Sequence, residues 1–598
     1  MRSEKLETKG QKQSSKSLRI RVLVFFFFLQ LCFALLIYRS FSLQYIRGDE
    51  LRARAQEQYK GEFCVEAKRG NIYDRNFQPL AVRLSSFSLY ADPSNLKRRK
   101  YAAQSLSSIL SVPQREILQR LDSNEYFVWL KRQMPDQVAD EVRSLRIRGL
   151  AFKEEEKRFY PKGRLAAHVT GFVGLDNVGL DGIEKAYDKY MRGNLQEVVI
   201  QKDRKGRDLT PQEIGYDELT HGYDVVLTID EVIQNIAEDE IQRACRRWRA
   251  KSGSVIIMNP ETGEILALAN YPTYDLNQAF STSDERKRNR AIRDLYEPGS
   301  AFKIVTAAAV INENLVSVEE LIDCENGEYH FDEYTVIHDS SKHEILTFSE
   351  VIENSSNIGI TKVVGRLGEK GLYDYIKAFG FTERTGIELS DRNGFVRPLE
   401  QWTKRSMAAI PFGHEIAVTP LQILCSTNVI ANDGVMMKPS IVRGIVKRGT
   451  RYGVQGVSSP VPVIEFSPQK SRTPVSRRTA RIMKAILTRA VENGTGQKAG
   501  VPGYMVAGKT GTAQKASGAG GYMPGKYISS FTGFLSAENF VISMIVVVNE
   551  PQGNYLGSEV ACPVFREIAT QAAQYLTIGQ RFYAEAVKPV KFVSLKEK

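Results

Sequence analysis

Residues 290–306 read Arg290-Ala-Ile-Arg-Asp-Leu-Tyr-Glu-Pro-Gly-Ser-Ala-Phe-Lys-Ile-Val-Thr306. Pro298 and Gly299 break the chain, and an apolar, alanine-rich run follows to Ile311, which predicts a helix start. Ser300 falls in the first turn and Lys303 one turn on, so hydroxyl and amine share a helix face. A serine alcohol becomes a nucleophile when a neighbouring base takes its proton, and a neutral lysine amine is such a base. A helix N-terminus adds N–H groups and a positive dipole end where an oxyanion would form.

Ser-x-x-Lys alone is weak, since a chain of this length contains it about twice by chance. Ser94 to Lys97 and Ser467 to Lys470 also fit. The first adjoins the basic run Arg98-Arg99-Lys100 and the second contains a proline. Neither has an apolar helix behind it, so context selects Ser300. Two later signals add weight: Ser355-Ser356-Asn357, and Lys509-Thr510-Gly511, which occurs once where roughly 0.1–0.2 are expected. The order Ser-x-x-Lys, Ser-x-Asn, Lys-Thr-Gly is the known motif set of β-lactamases and penicillin-binding proteins, an established pattern and not a deduction from spacing. Ser-Ser-Asn in place of Ser-Asp-Asn leans away from the class A β-lactamases.

The chain has 598 residues, 42% hydrophobic and 25% charged, a composition that can build two or three packed domains. A formal net charge of +13 suits an anionic partner. No nucleic-acid-binding motif accompanies it, and nucleic acid is set aside. Six cysteines form no Cys-x-x-Cys pair and the six histidines have no metal-ligand spacing. His168 and His414 are therefore read as structural, and neither metal nor cofactor is expected.

Residues 1–21 hold seven Lys or Arg against two Glu, and Val22 to Tyr38 follows without a charge. This reads as an uncleaved membrane anchor, slightly short, with flanking arginine stems extending it. A cleaved signal peptide is the alternative. The positive end stays in the cytoplasm. Phe41 to Gln58 reads as an amphipathic helix, and 102–121 and 135–145 as further helices. Val198 to Arg207 reads as a hairpin through Lys205-Gly206. From about Ser252 the texture changes. Ser254–Met258 and Ile265–Ala269 read as buried hairpin strands about Asn259-Pro-Glu-Thr-Gly263. Met505–Gln514, Tyr527–Leu535 and Phe540–Val548 read as three further strands, and Val560–Thr577 as a terminal helix. Ser517–Gly521 reads as a flexible loop. The pattern gives one sheet with helices on both sides.

Taken together the chain resembles the class B penicillin-binding proteins, the monofunctional peptidoglycan transpeptidases. The likeness rests on Arg-Gly-x-Ile-x-Asp-Arg-Asn at 69–76, Ala-Ala-His-Val-Thr-Gly-Phe-Val-Gly at 166–174 and Gly-Leu-Asp-Gly-Ile-Glu at 179–184. It continues with Leu-Thr-Ile-Asp at 227–230, Tyr-Glu-Pro-Gly-Ser-Ala-Phe-Lys at 296–303 and Val-Ala-Gly-Lys-Thr-Gly-Thr-Ala-Gln-Lys at 506–515. Asn-Arg-Ala-Ile-Arg-Asp at 289–294 looks most like the cell-division (septal) subgroup, with the elongation subgroup as competitor.

The resemblance implies an α/β (α+β) fold: a β-lactamase-like transpeptidase domain whose central antiparallel sheet is flanked by helices, preceded by a mixed α/β pedestal and one transmembrane helix. The implied segments are a basic tail (1–21), the anchor (22–38), the pedestal (39–225), the transpeptidase domain (226–577) and a C-terminal tail (578–598). It also implies roles: Ser300 as nucleophile, Lys303 as base, Ser355 as proton relay and Asn357 as a substrate-amide contact. Lys509, with Thr510 and Thr512, would hold the terminal carboxylate, and backbone N–H groups of Ser300 and Thr512 would form the oxyanion hole. Gly508 and Gly511 would leave the strand face bare for an extended peptide. Implied partners are the stem pentapeptide and its lipid-linked precursor, a membrane glycan polymerase, division proteins and β-lactams. A hydrolase of the same fold fits less well, since it needs neither anchor nor pedestal. A scaffold with a vestigial site is disfavoured by three intact motifs.

Overall fold

A computed structural model describes residues 4–51, 60–65, 68–122, 125–193, 196–201, 221–452, 459–517 and 521–586. The chain divides into two compact units, 1–67 with 194–220, and 68–193 with 221–598. In the first unit, helix α1 runs Glu4–Phe41 and passes into a π-helical turn, Ser42–Ile46. Its apolar part, Ile20–Ile46, has 27 residues. At 1.5 Å per residue this is about 40 Å, ample for a hydrocarbon core of about 30 Å. The stretch takes in Arg21 and Arg39 on either side of the charge-free run 22–38, and with their stems included α1 fits a single-pass anchor. Strands β1 (Lys60–Val65) and β6 (Gln196–Gln201) pair antiparallel, so residues 198–201 pair with β1. Residues 202–207 of the expected hairpin, 52–58 of the expected helix, 518–520 of the expected loop and 587–598 of the expected tail lie outside the described residues.

The second unit contains a seven-stranded sheet. Its strands are β2 (Ile72–Tyr73), β3 (Pro79–Ala91), β4 (Val128–Met134), β5 (Leu150–Phe159), β7 (Asp224–Leu227), β10 (Val442–Tyr452) and β11 (Ser459–Glu465). The order is β11-β10-β7-β2-β3-β4, with β5 also paired to β3. Only β2 and β7 run parallel, with Ile72 opposite Val225. The run expected as one helix over 102–121 is two, Arg99–Leu110 and Gln114–Leu121. Ser111, at φ 52, ends the first and Pro113 opens the second, because a proline ring cannot continue a helix. Both pack over β3 and β4 through Leu106, Ile117, Leu89 and Leu130. Arg69 and Arg158 converge on Glu184, each at the shortest 2.6–2.7 Å, all three buried. That knot joins the first and third family-like segments, 115 residues apart.

The second sheet is antiparallel and five-stranded, in the order β12-β13-β14-β8-β9. Its strands are β8 (Ser252–Met258), β9 (Ile265–Tyr271), β12 (Met505–Ala516), β13 (Tyr522–Ser536) and β14 (Val541–Asn549). The expected hairpin is present, with Val255 opposite Ala269. Helices α2 (Glu231–Arg247) and α7 (Cys562–Ala586) cover one face through Ile233, Ile241, Phe565 and Ile568 against Val255 and Phe531. Asp230 caps α2, its Oδ1 accepting from the N–H groups of Val232 and Ile233. Helices α3 (Lys303–Asn312), α4 (Asn357–Val364), α5 (Pro420–Ala431) and α6 (Arg477–Glu492) lie with the other face, burying Val305, Leu424, Met483 and Ile545 in one core. Both strand faces are covered, which is why β8 and β14 read as unbroken apolar runs. β12 stands at the edge, beside the turn that carries Ser300.

Candidate active site

Pro298 leads into one turn of 3-10 helix, Gly299–Phe302, and α3 begins only at Lys303. Ser300 therefore precedes the α-helix instead of lying in its first turn. Gly299 has φ 54, and a Cβ there would stand 2.7 Å from the Thr512 carbonyl oxygen. Gly413, at φ 84, faces it from the other side, and a Cβ there would stand 2.2 Å from the Gly299 carbonyl oxygen. The turn is thus pressed between β12 and the 413 loop at two places where no side chain fits. The Gly299 N–H donates to the Gly413 carbonyl at 3.1 Å. Ser300 itself is half-buried.

Lys303 is fully buried. Its Nζ donates to the Ser355 carbonyl at 2.6 Å and to Asn357 Oδ1 at 2.8 Å, with Ser355 Oγ at 3.3 Å. The sequence reading has lysine and serine meeting within one segment. The structure instead directs the lysine nitrogen to the second motif, whose three oxygens surround it. Burial holds Lys303 well below the ordinary lysine range, with the like charge of Lys509 next, while Asp339 and Cys324 act in the opposite sense.

The second motif lies between the helix Phe348–Glu353 and α4. Ser355 sits at φ 63, in the left-handed region that usually takes glycine after a helix. Ser356, and not Ser355, caps α4, its Oγ accepting from the Gly359 N–H at 2.9 Å. Asp339 completes the cap: it accepts from Ser356 Oγ and from the N–H groups of Asn357 and Ile358. A carboxylate at a helix N-terminus is stabilising by both hydrogen bonding and the dipole. Asp339 is the residue that sequence reasoning missed. It comes from a separate loop, and no spacing rule links it to Asn357. The Asn357 side chain is held at both ends, its Nδ2 donating to the His338 carbonyl at 2.8 Å.

Lys509 is buried on β12, and burial pushes its amine down to about 7. Its Nζ lies 3.4 Å from Thr510 Oγ1, which shares a 2.9 Å bond with Thr495 Oγ1. Thr512 Oγ1 accepts from the Gly557 N–H at 3.0 Å. The two glycines do not leave a bare strand face. A Cβ on Gly511 would stand 2.4 Å from Ser530 Oγ and 2.8 Å from the Pro298 carbonyl oxygen. A Cβ on Gly508 would stand 2.5 Å from Phe531 Cζ. Both are glycine because protein packs against them, and Gly511 is what lets the serine turn approach the strand. The other Ser-x-x-Lys matches are surface features: Ser94 bonds Asp92 in an exposed turn, and Ser467 lies in an exposed stretch.

The three motifs, 300 to 512, thus share one centre. It holds a half-exposed hydroxyl, an amine biased toward neutrality, a second hydroxyl within reach of that amine, and a further amine on an edge strand. That set suits acyl transfer. Residues 253–570 match the penicillin binding protein transpeptidase domain, and residues 64–227 the penicillin-binding protein dimerisation domain. The chain belongs to the class B penicillin-binding proteins. It is 30% identical to stage V sporulation protein D of Bacillus subtilis over 575 residues, 95% of this chain and 88% of that protein. It is 30% identical to peptidoglycan D,D-transpeptidase FtsI of Escherichia coli over 547 residues, 90% and 89% of the two. Among solved structures it is similar to penicillin-binding protein 3 of Mycobacterium tuberculosis complexed with aztreonam, at 27% identity and a TM-score of 0.64. That match covers 86% of this chain and 98% of the other. Like its relatives, this class B protein is a peptidoglycan D,D-transpeptidase with the mixed α/β fold of the family.

Proposed function

We propose that the protein cross-links stem peptides through an acyl-enzyme on Ser300, in septal wall synthesis. Ser300 Oγ attacks the penultimate D-Ala carbonyl of a pentapeptide and its proton passes to the Lys303 amine. The oxyanion is held by the N–H groups of Ser300 and Thr512. As the C–N bond breaks, the leaving D-Ala amine takes a proton through Ser355. An amine from a neighbouring stem then attacks the ester, the new amide forms, and Ser300 regains its proton. Asn357 orients Lys303 and the substrate amide. Lys509, with Thr510, Gly511 and Thr512, holds the terminal carboxylate. β-lactams, which the related mycobacterial structure contains as aztreonam, would acylate the same serine.

The observation that carries this reading is the buried Lys303 amine. Its nitrogen is fixed by Ser355 and Asn357 and kept from full protonation by burial, as a base for an alcohol requires. The septal assignment rests on Asn-Arg-Ala-Ile-Arg-Asp at 289–294, the segment that looks most like the cell-division subgroup. The basic N-terminus lies in the cytoplasm and residues 39–577, pedestal and transpeptidase regions, outside it. A membrane glycan polymerase supplies the strands. The test is to label membranes with a fluorescent penicillin and locate the modified residue by mass spectrometry. Ser300→Ala should abolish labelling, and Ser94→Ala and Ser467→Ala should not. Label on the Ser300→Ala protein rejects the assignment.

A further inference from the structure

Three residues before Ser300, Glu297 enters a cluster that the catalytic scheme does not use. Glu297 Oε1 accepts from the Glu415 N–H at 3.0 Å, and Oε2 lies 3.2 Å from His414 Nδ1. The same Nδ1 lies 2.6 Å from Tyr522 Oη. The three residues come from the serine segment, the 413 loop and the start of β13. The His414 ring packs edge-on against Phe412 and Tyr522, at centroid distances of 5.3 and 5.5 Å. The loop is bent on both sides of the histidine, with Gly413 at φ 84 and Glu415 at φ 56. Left-handed backbone at a non-glycine residue costs about 1–2 kcal/mol, so something must hold it. The bond from the Glu415 N–H to Glu297 does so, and the Glu415 carboxylate is fixed in turn by Ser406 Oγ at 2.9 Å.

The protons can be placed. With the imidazole proton on Nε2, Tyr522 would donate to Nδ1 and the buried Glu297 Oε2 would face a lone pair with no donor. An unmet buried carboxylate oxygen is costly. With the proton on Nδ1, that N–H stands between Tyr522 Oη at 2.6 Å and Glu297 Oε2 at 3.2 Å and offers both oxygens a donor. Burial, then the charge of Glu297, holds the Tyr522 phenol far above its usual range, so it remains an O–H donor. His414 Nδ1 thereby ties the loop that abuts Gly299 to the serine segment and to the strand beyond the third motif.

We propose that His414 is a positioning residue of acyl transfer, fixing the Ser300 turn against β12 through the contacts of its Nδ1 with Tyr522 and Glu297. The proposal rests on Ser300 being the acylated residue. The test uses the full-length protein in membranes. Acylation by fluorescent penicillin is timed for the wild type and for His414→Ala, His414→Asn, His414→Gln and Tyr522→Phe, with melting temperatures measured alongside. Asparagine carries an N–H where Nδ1 stands, whereas glutamine reaches the Nε2 position. Loss of the tie should slow the alanine, glutamine and phenylalanine variants by about tenfold, and asparagine should stay within about threefold of wild type. The phenylalanine variant keeps the ring and its packing, so its slowing cannot be ascribed to lost fold. Alanine acylating at the wild-type rate, or asparagine as slow as alanine, overturns the proposal. Wild-type protein labelled elsewhere than Ser300 would instead defeat the underlying assignment.

Discussion

The backbone carbonyl of Ser355 accepts from Lys303 Nζ at 2.6 Å, and Ser355 makes that bond from the left-handed region, at φ 63. A glycine would hold this conformation at less cost, so the serine hydroxyl is kept there against a local preference. Ser355→Gly should therefore be more stable than Ser355→Ala by about 1–2 kcal/mol. Both should slow release of D-Ala by about a hundredfold or more, as loss of a proton-relay group does. Thermal unfolding beside a D-Ala release assay checks both halves. Equal melting temperatures would show that the backbone is not strained.

Asp339 tests the support beneath the second motif. Asp339→Asn removes a charged cap from α4 and should cost about 1–2 kcal/mol of stability. The Asp339 charge also raises the Lys303 amine, against burial. Without it the amine loses its proton more readily, so the acid limb of the acylation profile should move to lower pH. A limb that stays in place, or moves to higher pH, would contradict the electrostatic link.

Lys509 sets the other side of the profile. Burial brings its amine down to about 7 in the free enzyme. A cation that recognises a carboxylate is lost as pH rises through that value. Acylation by a penicillin at sub-saturating concentration should therefore fall above about pH 7, by up to tenfold per pH unit. The corresponding penicillin ester, which offers no carboxylate, should lack this limb. Identical alkaline limbs for acid and ester would remove Lys509 from carboxylate recognition.

Gly511→Ala places a methyl 2.8 Å from the Pro298 carbonyl oxygen and 2.4 Å from Ser530 Oγ. Overpacking of this kind costs about 1–3 kcal/mol. Here it would also push the serine turn off the strand, and a displacement near 1 Å costs about a hundredfold in rate. Gly174→Ala, where a Cβ meets only ordinary contact at 3.6 Å, is the control. Acylation kinetics of the two variants separate steric displacement from a general effect of losing glycine.

The fold was legible where one segment decides its own structure. Apolar runs marked β8, β9 and β14. The serine turn was found through its surroundings and not its pattern, since two other Ser-x-x-Lys segments lie on the surface. What escaped depends on partners far along the chain. Nothing near residue 339 says that its carboxylate will cap α4, and no local pattern tells Ser355 from Ser356 as the capping residue. The glycines of the third motif were read as space left for substrate. Neighbouring backbone fills that space, a fact visible only once β12, β13 and the serine turn are assembled. Pro113 did carry a readable signal, a helix break, within a run otherwise suited to one helix.

The seven-stranded sheet has a consequence for anyone dissecting the protein. Residues 442–465 fall within the span that matches the transpeptidase domain, yet they supply β10 and β11 to a sheet whose other strands all come from residues 72–227. Val442 lies opposite Leu227, and Ile445 opposite Val225. A fragment starting at residue 253 would leave β10 with an unpaired edge of N–H and C=O groups, a template for pairing between molecules. Soluble expression should therefore begin upstream of β2. Chimeras that exchange the catalytic half between relatives must carry Asp224–Leu227 with it, because the joint between the two halves is a shared ladder and not a linker.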